Sequence, residues 1–286
     1  MNITPMAPEC GVEITGIDLA DCNDAQLQMI KQAIYEHGVA VFRDQEFSPG
    51  DHIAFARKWG GIDINNYFPL NPDHPEIALV RKEASQTTNI GGAWHTDHSY
   101  DQVPAMGSIL VARELPPTGG DTLWAHMGAA YDALSDDLKQ RIEGLEAFHT
   151  ADHVYKEGGI YAQTDQGASL RGQALETGAV HPVVIRHPQT GRKLVYVNSS
   201  FTIHFVGQTR EESLPLLGEL VAAALTPTNQ CRLEWKPGTV AIWDNRTTWH
   251  NAMNDYQGHA REMHRITLSG DPLTGDNEST RAAELV

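Results

Sequence analysis

The segment Trp94-His95-Thr96-Asp97-His98 carries residue types that bind metals. On an extended chain side chains alternate between faces, so His95 and Asp97 point one way and Thr96 the other. A histidine and a carboxylate on one face are two members of a 2-His-1-carboxylate triad. Such a triad leaves one face of an octahedral iron(II) open for a cosubstrate and oxygen. A closed structural zinc site takes four protein ligands and suits this segment less. The bland alternative is a surface loop with a local Asp–His hydrogen bond, easily met in a chain with 14 histidines.

A second segment, Trp243-Asp244-Asn245-Arg246-Thr247-Thr248-Trp249-His250, follows the apolar stretch 239–243. His250 is the candidate third ligand; taken alone it reads equally as a core histidine. Next comes Arg261-Glu262-Met263-His264-Arg265. On a strand, residues 261, 263 and 265 share a face, and the two arginine backbones stand about 13 Å apart at ~3.3 Å per residue. Guanidinium groups recognise carboxylates and similar oxyanions in planar, bidentate fashion. That separation suits two anionic groups, or two ends of one crowded pocket, against the alternative of a solvated edge. Gly119-Gly120-Asp121-Thr122 offers a turn that lets backbone approach a ligand, then a hydroxyl at the start of a strand.

The elements that must position these groups are mostly short strands. Residues 11–19 alternate apolar and polar, and 39–43 form a β-branched run. Leu27, Ile30, Ala33, Ile34 and His37 fall at helical spacing over 24–37, and Gly38 fits the residue after the helix. A second helix runs from Ser48 to about Trp59. Strands are expected at 77–81, 106–113, 121–126, 180–186, 193–198, 231–235, 239–243 and 262–269, with helices at 128–143 and 211–224. Many short strands divided by Gly and Pro turns argue for a sandwich or barrel over a parallel α/β sheet. Residues 151–177 are rich in Gly, Gln and Asp with little periodicity, and read as a lid loop.

The 286 residues suit one domain, 1–286, with a sizeable core. No apolar run approaches the ~20 residues of a membrane span, and the first residues lack the pattern of a secretory signal. A cytoplasmic protein is the expectation. Cys10, Cys22 and Cys231 are odd in number and widely spaced, which argues against a disulfide framework or a thiolate zinc site. A formal net charge of -16 disfavours nucleic acid and anionic membrane surfaces as partners. A small anion can still bind where local arginines outweigh that field.

Taken together, WHTD at 94–97, GGDT at 119–122, WDNR at 243–246 with His250 four residues on, and Arg261 with Arg265 resemble the taurine dioxygenase family. That family includes phenoxyacetate, aryloxypropionate and alkylsulfate dioxygenases. The resemblance spans roughly residues 10–270, including the opening GVEITGIDL. It implies a mainly β fold, a double-stranded β-helix or jelly roll flanked by helices. It implies that His95, Asp97 and His250 ligate iron(II), and that Thr122 and Arg261 bind the distal carboxylate of 2-oxoglutarate. Arg265 would meet the substrate's anionic group, and O2 is the other cosubstrate. The implied reaction hydroxylates a small organic anion. Taurine or another organosulfonate would release sulfite and an aldehyde; an aryloxyalkanoate or alkylsulfate is the alternative. A homodimer or homotetramer is also implied.

The substrate side departs from the taurine pattern. Gly91 stands where taurine enzymes carry an asparagine; Asn65 and Phe68 align near their substrate-contacting histidine and tyrosine. Arg81-Lys82-Glu83-Ala84 and Gly91 look more like the aryloxypropionate enzymes. Two other classes compete. A non-catalytic ligand-binding member of the fold is disfavoured by the complete triad. A zinc hydrolase using the same ligands and a metal-bound water leaves Arg261 and Arg265 without a role.

Overall fold

The computed structural model describes residues 1–275; the last part of the expected 1–286 domain lies outside the described residues. The scaffold is a large sheet of eight strands. Its order runs Asn2–Pro5, Val12–Thr15, Val39–Phe42, Val240–Asp244, Gly107–Glu114, Arg261–Leu268 and Ile62–Asp63, with Ala78–Lys82 also paired to Arg261–Leu268. Val12–Thr15 and Val39–Phe42 pair in parallel; the other strand pairs of this sheet are antiparallel.

A smaller antiparallel sheet places Thr122–His126 between Gln230–Leu233 and Thr248–Ala252. It faces the large sheet across an apolar layer in which Trp124 packs on Trp243, ring centroids 5.8 Å apart. The site lies between these sheets. A further three-stranded sheet joins Thr202–Phe205, Glu146–His149 and Ala179–Pro182, and Val184–Arg186 pairs with Lys193–Val195.

Helices cover the outer face of the large sheet. Asp24–His37 buries Leu27, Ile30, Ala33 and Ile34, the stripe that its periodicity predicts. Asn23 and Gln26 form a reciprocal capping box at its start. Gly38 ends it at φ 82, and a Cβ there would lie 2.5 Å from the Thr248 methyl, so both conformation and space require glycine. Pro49–Arg57 packs its Ile53, Phe55 and Ala56 into the same core.

Several expected elements change on folding. The helix at 128–143 is two helices, Met127–Ala133 and Asp136–Ile142, because Ser135 turns extended and caps the second through Leu138 N–H. The strand at 180–186 breaks at Val183, whose N–H instead bonds Leu145 carbonyl. Strands Asn2–Pro5, Ile62–Asp63, Glu146–His149, Thr202–Phe205 and Thr248–Ala252 are additional to the expected set. Segment 151–177 is not a structureless loop. It contains the helix Asp152–Tyr155 and two 3-10 turns, Tyr161–Gln163 and Gly167–Ser169. Asp165 stitches it to the chain by accepting from Thr87 N–H, Thr87 hydroxyl and Thr88 N–H. Cys10 and Cys231 meet in the core as free thiols, sulfurs 3.0 Å apart, and burial pushes the Cys10 thiol up.

Candidate metal centre

His95 and His250 face each other across an isolated antiparallel bridge. His95 N–H donates to His250 carbonyl at 3.1 Å, and His250 N–H donates to His95 carbonyl at 2.7 Å. This bridge sets the two rings side by side, centroids 4.1 Å apart. His95 lies in this bridge and not in a longer strand, and its side chain and that of Asp97 come to the same side. A turn begins at Asp97, with His98 at φ 60. Asp97 Oδ1 lies 3.5 Å from His95 Nε2, and Oδ2 lies 3.7 Å from His250 Nε2. Thr96 points away, as alternation predicts, and donates its hydroxyl to the Asn245 carbonyl.

The WDNR segment makes the turn that delivers His250. Asp244, fully buried, accepts from Arg246 backbone N–H, Nε and Nη2 and pairs with His187 Nε2 at 3.0 Å. Burial alone would raise its pKa; Arg246 and then His187 reverse that and hold the carboxylate well below its usual range. Asn245 accepts from Trp243 indole N–H and donates to Ala105 carbonyl. These residues are scaffold for the adjoining strands.

The three side chains fit a divalent metal. His95 Nδ1 lies 2.7 Å from Ala93 carbonyl, which can only accept, so Nδ1 carries a proton and Nε2 is the ring atom turned toward Asp97. Burial, then the neighbouring His95, lowers His250 to about 3, so this imidazole is neutral at pH 7. Burial would raise Asp97, but Arg265, then His250 and His95, bring it well below the usual range. Two imidazoles and an ionised carboxylate, all within 4.8 Å and with Asp97 Oδ2 buried and lacking a hydrogen bond, form a donor set suited to iron(II).

The arginines occupy different ends of the cavity. Arg265 lies at the metal end, its Nη2 2.9 Å from Asp97 Oδ2 and its Nε donating to Ser108 hydroxyl. Arg261 lies at the other end, its guanidinium over the Trp235 ring and its Nε buried without a hydrogen-bond partner. Gly120, at φ 72, lets Arg261 pass; a Cβ there would stand 3.1 Å from Arg261 Cδ. Trp235 indole N–H donates to Thr122 hydroxyl oxygen at 2.9 Å, leaving the Thr122 proton for another acceptor.

One cavity is lined by His95, Asp97, His250, Thr122, Arg261, Arg265, Phe68 and Gly91. Asn65 is not brought to it. Its side-chain oxygen accepts from Tyr67 and Phe68 N–H at 2.9 and 2.8 Å, so it shapes the turn that presents Phe68. Sequence reading missed Ile90, Trp243 and Tyr155 as lining residues. Tyr155 comes from 151–177 and stacks between Tyr67 and Tyr161. Its aperiodic surroundings carry no signal that it would turn inward.

A two-sheet scaffold with a His-Asp-His centre and two arginines in one cavity has the ligand set of the 2-His-1-carboxylate metal enzymes. The chain matches the family described as taurine catabolism dioxygenase TauD, TfdA, over residues 2–267. It is 33% identical to a (S)-phenoxypropionate/alpha-ketoglutarate-dioxygenase of Sphingobium herbicidovorans, over 96% of each chain. It is 33% identical to an alkylsulfatase of Acinetobacter baylyi, covering 96% of this chain and 87% of that one. A crystal structure of a taurine dioxygenase from Burkholderia xenovorans superposes with TM-score 0.81 at 30% identity, covering 96% and 93%. The structure of AAD-2 with Mn(II) and N-oxalylglycine superposes with TM-score 0.78 at 28% identity, covering 96% and 98%. The chain belongs to the TauD/TfdA family and is an iron(II)-dependent dioxygenase with 2-oxoglutarate and O2 as cosubstrates. Among the described residues no helix is long and apolar enough to cross a membrane.

Proposed function

We propose that this enzyme hydroxylates a small organic anion with an apolar body, an aryloxyalkanoate or alkyl sulfate ahead of taurine. The observation that carries this is the makeup of the cavity wall beside the metal ligands. Phe68, Ile90, Tyr155 and Gly91 line it, and Arg265 is the cation nearest the centre. With Gly91 lacking a side chain and Asn65 turned into its own backbone, taurine's ammonium finds no amide partner there. An apolar body fits these walls. Relatives that act on phenoxypropionate and alkyl sulfates support the same reading.

In this reading the two facing sheets are the double-stranded β-helix of the family. His95, Asp97 and His250 hold iron(II), and Thr122 and Arg261 hold the distal carboxylate of 2-oxoglutarate. Arg265 orients the substrate's anionic group. Iron(II), when bound, supplies the redox chemistry by which 2-oxoglutarate, O2 and R–H become succinate, CO2 and R–OH. A hydroxylated carbon that bears an aryloxy or sulfate oxygen then expels that group and becomes a carbonyl. Tyr155, Phe68 and Trp243 exclude water from the reacting carbon.

The test is a panel of taurine, alkylsulfonates, alkyl sulfates and aryloxyalkanoates given to iron-loaded protein. Succinate is read together with sulfite, sulfate and phenol. Greater kcat/KM for an aryloxyalkanoate or alkyl sulfate than for taurine is expected. Taurine as the best substrate would overturn the apolar reading, and succinate formation with none of them would overturn the substrate class.

A further inference from the structure

Arg261 does not stand alone at its end of the cavity. Its direct cross-strand neighbour is Lys82, on Ala78–Lys82. Lys82 is 2% exposed, and its Nζ is buried with no hydrogen-bond or ion-pair partner among the described residues. The ammonium lies 4.5 Å from the centre of the Tyr256 ring. Tyr256 is itself buried and packs beside Gly120, the residue that gives way to Arg261. Val80, two residues earlier on the same face of the strand, lines the cavity wall. Two cations are thus buried side by side. Two carboxylates lie near: Asp121, which pairs with Arg232 at 2.6 Å and also attracts Arg261, and Asp255, which accepts from Gly120 N–H; neither forms an ion pair with Lys82 among the described residues. A ring face attracts an ammonium but does not neutralise it, and buried charge without a counter-charge is strongly unfavourable.

We propose that Lys82 is a second cationic group for the distal carboxylate of 2-oxoglutarate and selects two-carboxylate over one-carboxylate 2-oxo acids. The inference rests on the reading of Arg261 as a partner of that carboxylate. Arg261 supplies a planar fork, and Lys82 supplies a point charge from the neighbouring strand. A 2-oxo acid with an apolar tail would leave both charges unmatched.

Binding of 2-oxoglutarate and of 4-methyl-2-oxopentanoate to Mn(II)-loaded protein, measured by titration calorimetry, tests this. The second acid keeps the chelating end and replaces the distal carboxylate with methyl groups. Lys82→Met keeps the apolar stem and removes the charge. It is expected to weaken 2-oxoglutarate about tenfold or more, equivalent to ~1.4 kcal/mol. It should leave 4-methyl-2-oxopentanoate within about twofold, while Lys82→Arg retains most of the 2-oxoglutarate affinity. Unchanged 2-oxoglutarate binding in Lys82→Met, or equal weakening of both acids, overturns the proposal. Should Lys82→Met fail to fold, Lys82→Gln is read by the same criteria. Arg261→Met separates the two levels. If it leaves 2-oxoglutarate binding unchanged, the reading of Arg261 fails. If it weakens binding while Lys82→Met does not, Lys82 alone is misassigned.

Discussion

The Arg265 guanidinium rests 2.9 Å from the Asp97 carboxylate, against the ligand set itself. The contact is ionic; it lacks the alignment of a hydrogen bond. Arg265 is held from the other side by Ser108 and lies over the Phe68 ring, 5.9 Å from its centre. A metal on Asp97 would share that oxygen environment with a fixed cation. An incoming anionic substrate would relieve the resulting repulsion, which couples substrate binding to the metal centre.

Replacing Arg265 with Met should therefore separate two functions. Loss of a charge-assisted pair of about 2 kcal/mol lowers kcat/KM for the anionic substrate roughly thirtyfold. Mn(II) affinity should hold or improve, since a cation has been removed from beside the metal. Calorimetry with Mn(II) and succinate assays check both; weakened metal binding would contradict the sign of this argument.

Thr122 accepts from the Trp235 indole N–H, and in the proposed reading its hydroxyl meets the cosubstrate. Thr122→Val removes a hydroxyl donor and strands the Trp235 indole N–H, an unsatisfied group worth about 1–3 kcal/mol. The KM for 2-oxoglutarate should rise about tenfold and the melting temperature should fall by a few degrees. Thr122→Ser, which retains the oxygen, should restore both. A Val variant with wild-type KM would remove Thr122 from the cosubstrate's binding set.

The segment 151–177 bears Tyr155 into the cavity and is clasped by Asp165. Hydrogen bonds from Thr87 backbone and side chain hold the Asp165 carboxyl below its usual range. Asp165→Ala should speed proteolytic cleavage within 151–177 and raise the substrate KM. If neither changes, the clasp does not control closure.

Three histidines are buried away from the site and contribute to the acid sensitivity of the metal-free protein. Burial, then Arg113, brings His52 to about 3; burial, then Arg192, brings His126 to about 4; burial, then His181, brings His149 to about 3. In the unfolded chain each titrates near 6.5. Between these values the unfolded state holds more protons, so falling pH favours unfolding. Their contribution is complete above about pH 6.5 and declines by up to ~1.4 kcal/mol per histidine per pH unit below it. Melting temperatures between pH 7.5 and 4.5 check this, and a flat profile would contradict it.

Ligand types, their order along the chain and the helical stripe of Asp24–His37 are local facts, and the sequence carried them. So did the two ends marked by Arg261 and Arg265, because residues four apart on a strand keep their face and their separation. The geometry of the ligands was another matter. His95 and Asp97 share a side as alternation predicts, but they meet His250, 155 residues later in chain number, only through the bridge between His95 and His250. Asn65 reads from its type and place as a substrate residue, but its side-chain oxygen is spent on the backbone of Tyr67 and Phe68. Lys82 and Tyr155 enter the argument only because folding buries them beside Arg261 and the metal ligands. Chemical type and periodicity are written in neighbouring residues. Burial, charge balance and convergence depend on which distant strands pair, and only the tertiary structure decides that.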